Sequence, residues 1–557
     1  MMKKGSLLFV TMILGFCLLL TGCGGGTGAT PETDAPSVEG ETTAMPQELN
    51  VSINVEITDL NPLVTSTTDE HEVLMTCMET LVRMGEGGAL EMGSGLAESW
   101  DISEDYLTYT FHLRDAKFST GDPVTAQDFE YSWKKVLDPA MASEYAYLLY
   151  PIAGAEAYNT GTGNVDDIAV HALDEKTLEV TLVSPIDYFI DSLVITEFSV
   201  VPEGSVEEFG DNFFMSPEYM VFCGPYIMTE WVPNQYVVVE KNPNYWDADN
   251  VKLDKITFHM GTETNTIVNM FETGQLDVMQ VQPEFLEIYK DYPNFVAFTE
   301  AVTEYLKFNF QDPFFGNKKI RQAFSMAIDR TSYMNDFFKT GSTPAYGYIP
   351  PGILGVGGKD FRDNNGDLYT DANHGNTPEQ AAAMLDAGLA EIGKTREELS
   401  AYLSLVIGQG DLNLKTAQVL QEMWKNTLGV NLEVKSLQYA MRQAEYDSGE
   451  FTIGKEGWGA DYNDPMTFLD LFMTSSPYND LGYSNPDYDA LLTQANQTHG
   501  DERMELLQQA EKILVEEDCA IAPTFFQTRS WVYKDYVHGV IRNGSGLRCD
   551  YKYAYVE

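Results

Sequence analysis

Positive charge is what this chain has least of. Its 557 residues carry 34 Lys and Arg against 85 Asp and Glu, a net charge of −51. No basic run occurs outside Met1–Lys4. Proteins that hold DNA, RNA or anionic headgroups need clustered Lys and Arg to displace counterions from phosphates, so nucleic acid is excluded as a partner. Cysteine is also scarce: six residues, at positions 17, 23, 77, 223, 519 and 549, with no CxxC spacing. That removes zinc ribbons and thioredoxin-like redox motifs. The seven histidines, at 71, 112, 171, 259, 374, 499 and 538, never fall within ten residues of one another, so no local metal cluster is encoded. There is no G-x-S-x-G elbow, P-loop, HExxH or dinucleotide fingerprint. Asp360–Asp367 (DFRDNNGD) resembles a calcium loop, but taking Gly366 as loop position six puts Phe361 where Asp is required. A solvated turn is expected there. No catalytic, metal or cofactor motif is legible, so the expectation is a protein that is not an enzyme and carries no metal or cofactor.

Apolar material is plentiful. Hydrophobic residues make up 44% and aromatics 12%, so this is no disordered acidic chain. The length suggests about three to four domain-sized units. Residues 1–22 read as a signal peptide: Lys3 and Lys4, then the apolar stretch Leu7–Leu20, too short for the roughly 20 residues that span a bilayer. Leu20-Thr21-Gly22-Cys23 resembles a bacterial lipobox, which implies acylation of Cys23 and anchoring on the extracytoplasmic face of the cell membrane. Two lipid chains suffice for stable anchoring. Gly24–Gln47 is rich in Gly, Thr, Pro and Glu without apolar periodicity, so residues 23–47 are expected to be a lipidated flexible tether.

From Leu49 onward strand and helix patterns interleave. Leu49, Val51, Ile53, Val55 and Ile57 alternate with polar residues, as in a half-buried strand. Leu107–Leu113 and Leu178–Leu182 do the same, and Tyr236–Glu240 reads as a strand covered on both faces. Ile320, Ala323, Phe324, Ala327 and Ile328 mark an amphipathic helix, as do Val419–Leu428 and Met504–Leu514. Thr377-Pro378 opens a further helix. The fold class is α/β, without repeats or long linkers.

Four stretches carry a resemblance. They are Ala97–Pro139 (AESWDISEDYLTYTFHLRDAKFSTGDPVTAQDFEYSWKKVLDP), Gly224–Trp246 (GPYIMTEWVPNQYVVVEKNPNYW), Asn317–Arg330 (NKKIRQAFSMAIDR) and Gly457–Leu469 (GWGADYNDPMTFL). Together they resemble the extracytoplasmic solute-binding proteins of peptide ABC importers, family 5, oligopeptide-binding type. The likeness runs over 48–557. It implies a type II periplasmic-binding-protein-like fold of two lobes closing like a flytrap. Lobe I would comprise 48–87, 206–304 and 525–557, the extra subdomain 88–205, and lobe II 305–524.

The resemblance also implies a monomer that captures an oligopeptide and delivers it to permease subunits. Asp461, the Asp of the W-x-A-D-Y motif, would hold the peptide amine. Trp458 would wall a side-chain pocket, and Lys455 would meet the carboxylate of a short peptide. Tyr145 and Tyr439 would line the ligand. Gly459 departs from a relative with a small thiol residue there. Other ligands of the same fold (dipeptides, signalling peptides, nickel, haem, sugars), a sensory role, and a surface peptidase stay open at this point. The acidity is expected to keep the protein soluble and off the headgroups, and to bias capture toward cationic peptides.

Overall fold

The structure, a computed structural model, describes residues 45–557 apart from 54–55, 86–88, 261–262, 369, 372–373 and 547–548. The leader, Cys23 and most of the tether therefore lie outside the described residues. In chain order the strands of the two larger sheets are β1 (Glu48–Ser52); β2 (Ala97–Ile102), β3 (Thr108–Leu113), β4 (Val170–Asp174) and β5 (Thr177–Thr181); β6 (Tyr226–Val232), β7 (Tyr236–Lys241), β8 (Lys255–His259) and β9 (Val278–Val281); the long β10 (Phe295–Phe308); and β11 (Thr343–Pro344), β12 (Ser404–Gly408), β13 (Glu433–Leu437), β14 (Ile453–Gly459) and β15 (Ile521–Tyr533).

Eleven of these form one mixed sheet, with the path β13-β12-β14-β10-β15-β9-β1-β8-β7-β6 and β11 on β15. Among the described residues, strands from the two halves of the chain meet only through β10 and β15, which run antiparallel along most of their lengths. Their register shifts between Thr299 and Thr303 and again between Glu304 and Tyr305, where bulges bend the pair. On one side β15 passes to β9, and on the other β10 passes to β14. Two strands thus carry the chain between two α/β lobes, the two-lobed fold that the resemblance implies.

The remaining four-stranded antiparallel sheet, β2-β3-β5-β4, lies wholly between Ala97 and Thr181. Tyr109, Phe111 and Leu113 of β3 are buried, with half-buried residues between, as the alternation predicts. The helix Ala126–Val136 packs beside it, opened by a capping box of Thr125 and Asp128 and carrying Lys134 and Lys135 in its last turn. It buries Phe129, Trp133 and Val136, and the Trp133 indole donates to Phe198 O at 3.1 Å.

The second half builds its own core. Ile320, Phe324, Leu385, Leu389, Leu420 and Trp424 come from three helices, Lys318–Met326, Pro378–Ile392 and Asp411–Leu428. They pack on Leu306, Phe308, Leu405 and Ile453 of the sheet. Thr377 caps its helix with a full capping box and Pro in the first turn, as expected.

Three local readings change. Tyr236–Lys241 buries only Val237 and Val239; a run of β-branched residues satisfies a half-covered strand as well as a fully covered one. Phe361–Asn365 is a helical turn capped by Asp360, whose carboxylate accepts from Arg362 N at 2.8 Å, where an open turn was expected. Gln47, read as tether, is part of the body: its side chain donates to Val556 O at 2.7 Å and its carbonyl accepts from Asp254 N at 2.7 Å. Cys77, Cys223, Cys519 and Cys549 are free and buried, and burial pushes the Cys77 thiol up to about 12. No helix among the described residues is long and apolar enough to cross a membrane.

Candidate functional site

A cavity of about 700 Å3 opens where the two halves face each other, within the roughly 300–1,000 Å3 usual for ligand sites. One wall is the helix Thr68–Cys77, through His71, Glu72 and Met75. The opposite wall is β14 with the residues that follow it. Tyr145 reaches in from the N-terminal half, Tyr439 from the helix Tyr439–Asp447, and Tyr305 and Lys307 from β10.

Asp461 sits two residues past the end of β14. Ala460 N bonds to Ala301 O at 2.8 Å, so the strand pairing delivers Asp461 to the cavity at a fixed height. Its carboxylate accepts from the Tyr145 hydroxyl at 3.3 Å, the Tyr147 hydroxyl at 3.4 Å and Thr467 Oγ1 at 3.4 Å. Burial, then the charge of Asp461, pushes the Tyr147 and Tyr478 hydroxyls far up, which keeps both protonated. Trp458 packs edge-on against Tyr478 at 5.4 Å, and Tyr478 against Tyr147 at 5.2 Å. The result is a carboxylate in a box of aromatic rings. Such rings lower the local dielectric and attract cations over their faces.

The tight turn Asp461–Pro465 has a division of labour. Asp464 does the structural work: it is buried, accepts from Met466 N at 2.9 Å, and takes a two-pronged ion pair from Arg503 at 2.6 and 2.8 Å. Tyr462 stacks on Tyr188 at 4.4 Å. Asp461, in contrast, faces the cavity.

His71 lies near the same end, edge-on to Tyr145 at 5.9 Å. Its Nε2 stands 3.6 Å from the fully buried Glu197. Burial alone would depress the imidazole, but Glu197, the Thr65 carbonyl and Asp461 together outweigh it and the net shift is upward.

Of the residues predicted from sequence, Asp461, Trp458, Tyr145 and Tyr439 all line this cavity. Lys455 does not. Side chains alternate along a strand, so Lys455 lies across β14 from Glu456 and Trp458. There it ion-pairs with Glu304 and lines a neighbouring pocket beside β15. Cys23 lies outside the described residues. Tyr147, Tyr478, His71, Glu456, Asp480 and Arg442 were missed. The Tyr145-x-Tyr147 spacing and the strand alternation from Trp458 back to Glu456 are signals that point to two of them, Tyr147 and Glu456. Among the described residues no group of His, Cys, Asp or Glu is placed to hold a metal ion.

A carboxylate among aromatic rings, in a cleft between two lobes joined by paired strands, defines a binding protein of the flytrap class. Residues 91–480 match the model of the bacterial extracellular solute-binding proteins, family 5, and the chain belongs to that family. It is 36% identical over 555 residues to the oligopeptide-binding protein OppA of Bacillus subtilis, covering 98% of each chain. Among solved structures, it resembles Listeria monocytogenes OppA bound to peptide, with a TM-score of 0.81 and 30% identity over 92% of this chain and 99% of that one. It is equally similar to the substrate-binding domain of the oligopeptide ABC transporter of Bacillus anthracis, with a TM-score of 0.82 and 31% identity over 92% and 99%.

Proposed function

We propose that this protein captures oligopeptides outside the cytoplasmic membrane and delivers them, as a lipid-anchored monomer held through Cys23, to the permease of an ABC importer. The observation that carries the reading is the Asp461 carboxylate, held by three hydroxyls inside the cavity and walled by Trp458 and Tyr478. A peptide's terminal ammonium is the matching group: a charge-assisted hydrogen bond there is roughly twice as strong as a neutral one. The peptide backbone would pair with main chain along the edge of β14 beyond Gly454, where β12 no longer pairs with it, which satisfies N–H and C=O groups whatever the peptide sequence. Opening and closing would turn on the bulged segment of β10 and β15, with lobe I (48–87, 206–304, 525–557) and its subdomain (88–205) moving against lobe II (305–524).

The test is to purify residues 45–557, identify co-purifying ligands by mass spectrometry, and titrate one peptide with a free and an acetylated N-terminus. Peptides recovered intact, and at least tenfold weaker binding after acetylation or in Asp461→Asn, support the reading. A bound metal, haem or sugar, cleaved peptide, or indifference to acetylation overturns it. Anchoring is tested separately: Cys23→Ala should abolish labelling by a fatty-acid probe.

A further inference from the structure

Beyond Trp458 the cavity ends among polar atoms that have no hydrogen-bond partner among the described residues. Arg442 Nε, Gln443 Oε1, Glu456 Oε2, Trp458 Nε1 and Asp480 Oδ1 are all buried without a hydrogen-bond partner, and all five residues line the cavity. Buried polar atoms are nearly always paired, so five at one end of one cavity mark a place for a polar group brought from outside.

The pattern says which group. Each carboxylate is half used. Glu456 Oε1 takes Arg442 at 3.1 Å while Oε2 stands 3.7 Å from Lys307, too far for a hydrogen bond. Asp480 Oδ2 takes Lys307 while Oδ1 has nothing. Lys307 is itself held in place, its ammonium 3.4 Å from the centre of the Tyr446 ring. Burial raises the Glu456 and Asp480 carboxyls, and the nearby cations offset it only in part. Three of the five unmet atoms are acceptors. A peptide's terminal carboxylate would add two more acceptors to this end. A basic side chain would supply donors, and a guanidinium carries five in a rigid fork.

We infer that this end of the cavity is a subsite for a basic side chain of the peptide, whose N–H groups meet Glu456 Oε2, Asp480 Oδ1 and Gln443 Oε1. Arg442 Nε and Trp458 Nε1 then serve the peptide's carbonyls. The inference rests on the peptide-capture reading and narrows it to peptides with Arg or Lys at a fixed place after the amine.

Glu456 precedes the end of β14 at Gly459 by three residues, about 10 Å along the strand, and Asp461 lies two residues further. The test therefore moves a single Arg through positions two to five of an otherwise neutral pentapeptide with a free amine. Each Arg peptide is compared by calorimetry with its citrulline counterpart, which has the same shape without the charge. The expected result is a preference for Arg over citrulline of at least tenfold at one position and under threefold at the others. In Glu456→Gln, and in Gln443→Leu, which leaves the ion pairs alone, that preference should fall to under threefold. The readout is a ratio within each protein, so a variant that binds more weakly overall still reports. Ratios near one at every position, or a ratio that survives both substitutions, overturn the subsite while leaving amine capture standing. If no pentapeptide binds, the capture reading falls and the subsite with it.

Discussion

The Tyr145 hydroxyl donates to Asp461 Oδ1 at 3.3 Å, joining residues 316 positions apart in the chain. One comes from the N-terminal half and one from the turn after β14, so this bond reports both the placement of the carboxylate and the approach of the two halves. A hydrogen bond to a charged group is worth about 1.5–3 kcal/mol at good geometry; at this length about 1 kcal/mol is expected, roughly fivefold in affinity. Tyr145→Phe should therefore weaken a free-amine peptide about fivefold, and Tyr145→Phe with Tyr147→Phe should weaken it further. Unchanged calorimetric affinity in the double variant would remove the tyrosines from the anchor.

The two-pronged pair between Asp464 and Arg503 predicts a stability effect. Both side chains are buried, and the guanidinium also stands 5.3 Å from the Tyr188 ring. Removing one partner of a buried pair leaves an uncompensated charge and costs roughly 3–5 kcal/mol, whereas replacing both by apolar groups costs far less. Arg503→Met should lower the urea midpoint strongly, and adding Asp464→Leu should recover most of the loss. If the double variant is as unstable as the single, the pair's role is the turn geometry that Asp464 provides.

Asp191 predicts a pH dependence. Burial, then the charge of Asp464, pushes its carboxyl up to about 6, above the unfolded value of about 3.9. A group raised on folding favours the native state fully below its unfolded value, and that benefit is lost as pH rises through about 6. At pH 7–8 the ionised Asp191 should cost roughly 1–3 kcal/mol. Asp191→Asn should be more stable than the parent at pH 7–8, with the gap closing toward pH 4. A gap that does not change with pH in urea titrations would mean that the residue acts through hydrogen bonding alone.

Much of this architecture could be read from residue order, and the reasons differ by feature. Helix starts such as Thr377-Pro378 and strands such as β3 are written in local chemistry, so caps and alternation suffice. The Gly457–Leu469 stretch identified the cavity wall because Trp458 and Asp461 belong to one short segment. What escaped was contributed across the cleft. Nothing local to Tyr478, His71 or Arg442 says that a carboxylate or a cavity will face it. Gln47 reads as tether in the sequence because its partners, Val556 and Asp254, lie hundreds of residues away. The acidity that first excluded nucleic acid is not spread evenly in meaning: Asp464 is spent on a turn, while Glu456 and Asp480 each keep an oxygen without a hydrogen bond among the described residues.

Lys455 is the sharpest test of alternation as an argument. Resemblance places a basic residue there at the carboxylate of a short peptide. The pleat turns Lys455 away from the side that carries Glu456 and Trp458, and its ammonium is taken by Glu304. Lys455 and Glu304 are mostly buried, so the pair belongs to the packing beside β15. Lys455→Met should therefore lower the urea midpoint by leaving Glu304 without its cation, a loss of roughly 1–3 kcal/mol for a partly buried pair. Tripeptide affinity should move by less than about threefold, under 0.7 kcal/mol. A loss of tenfold or more for tripeptides, with longer peptides unaffected, would mean that Lys455 leaves Glu304 to meet the ligand's carboxylate.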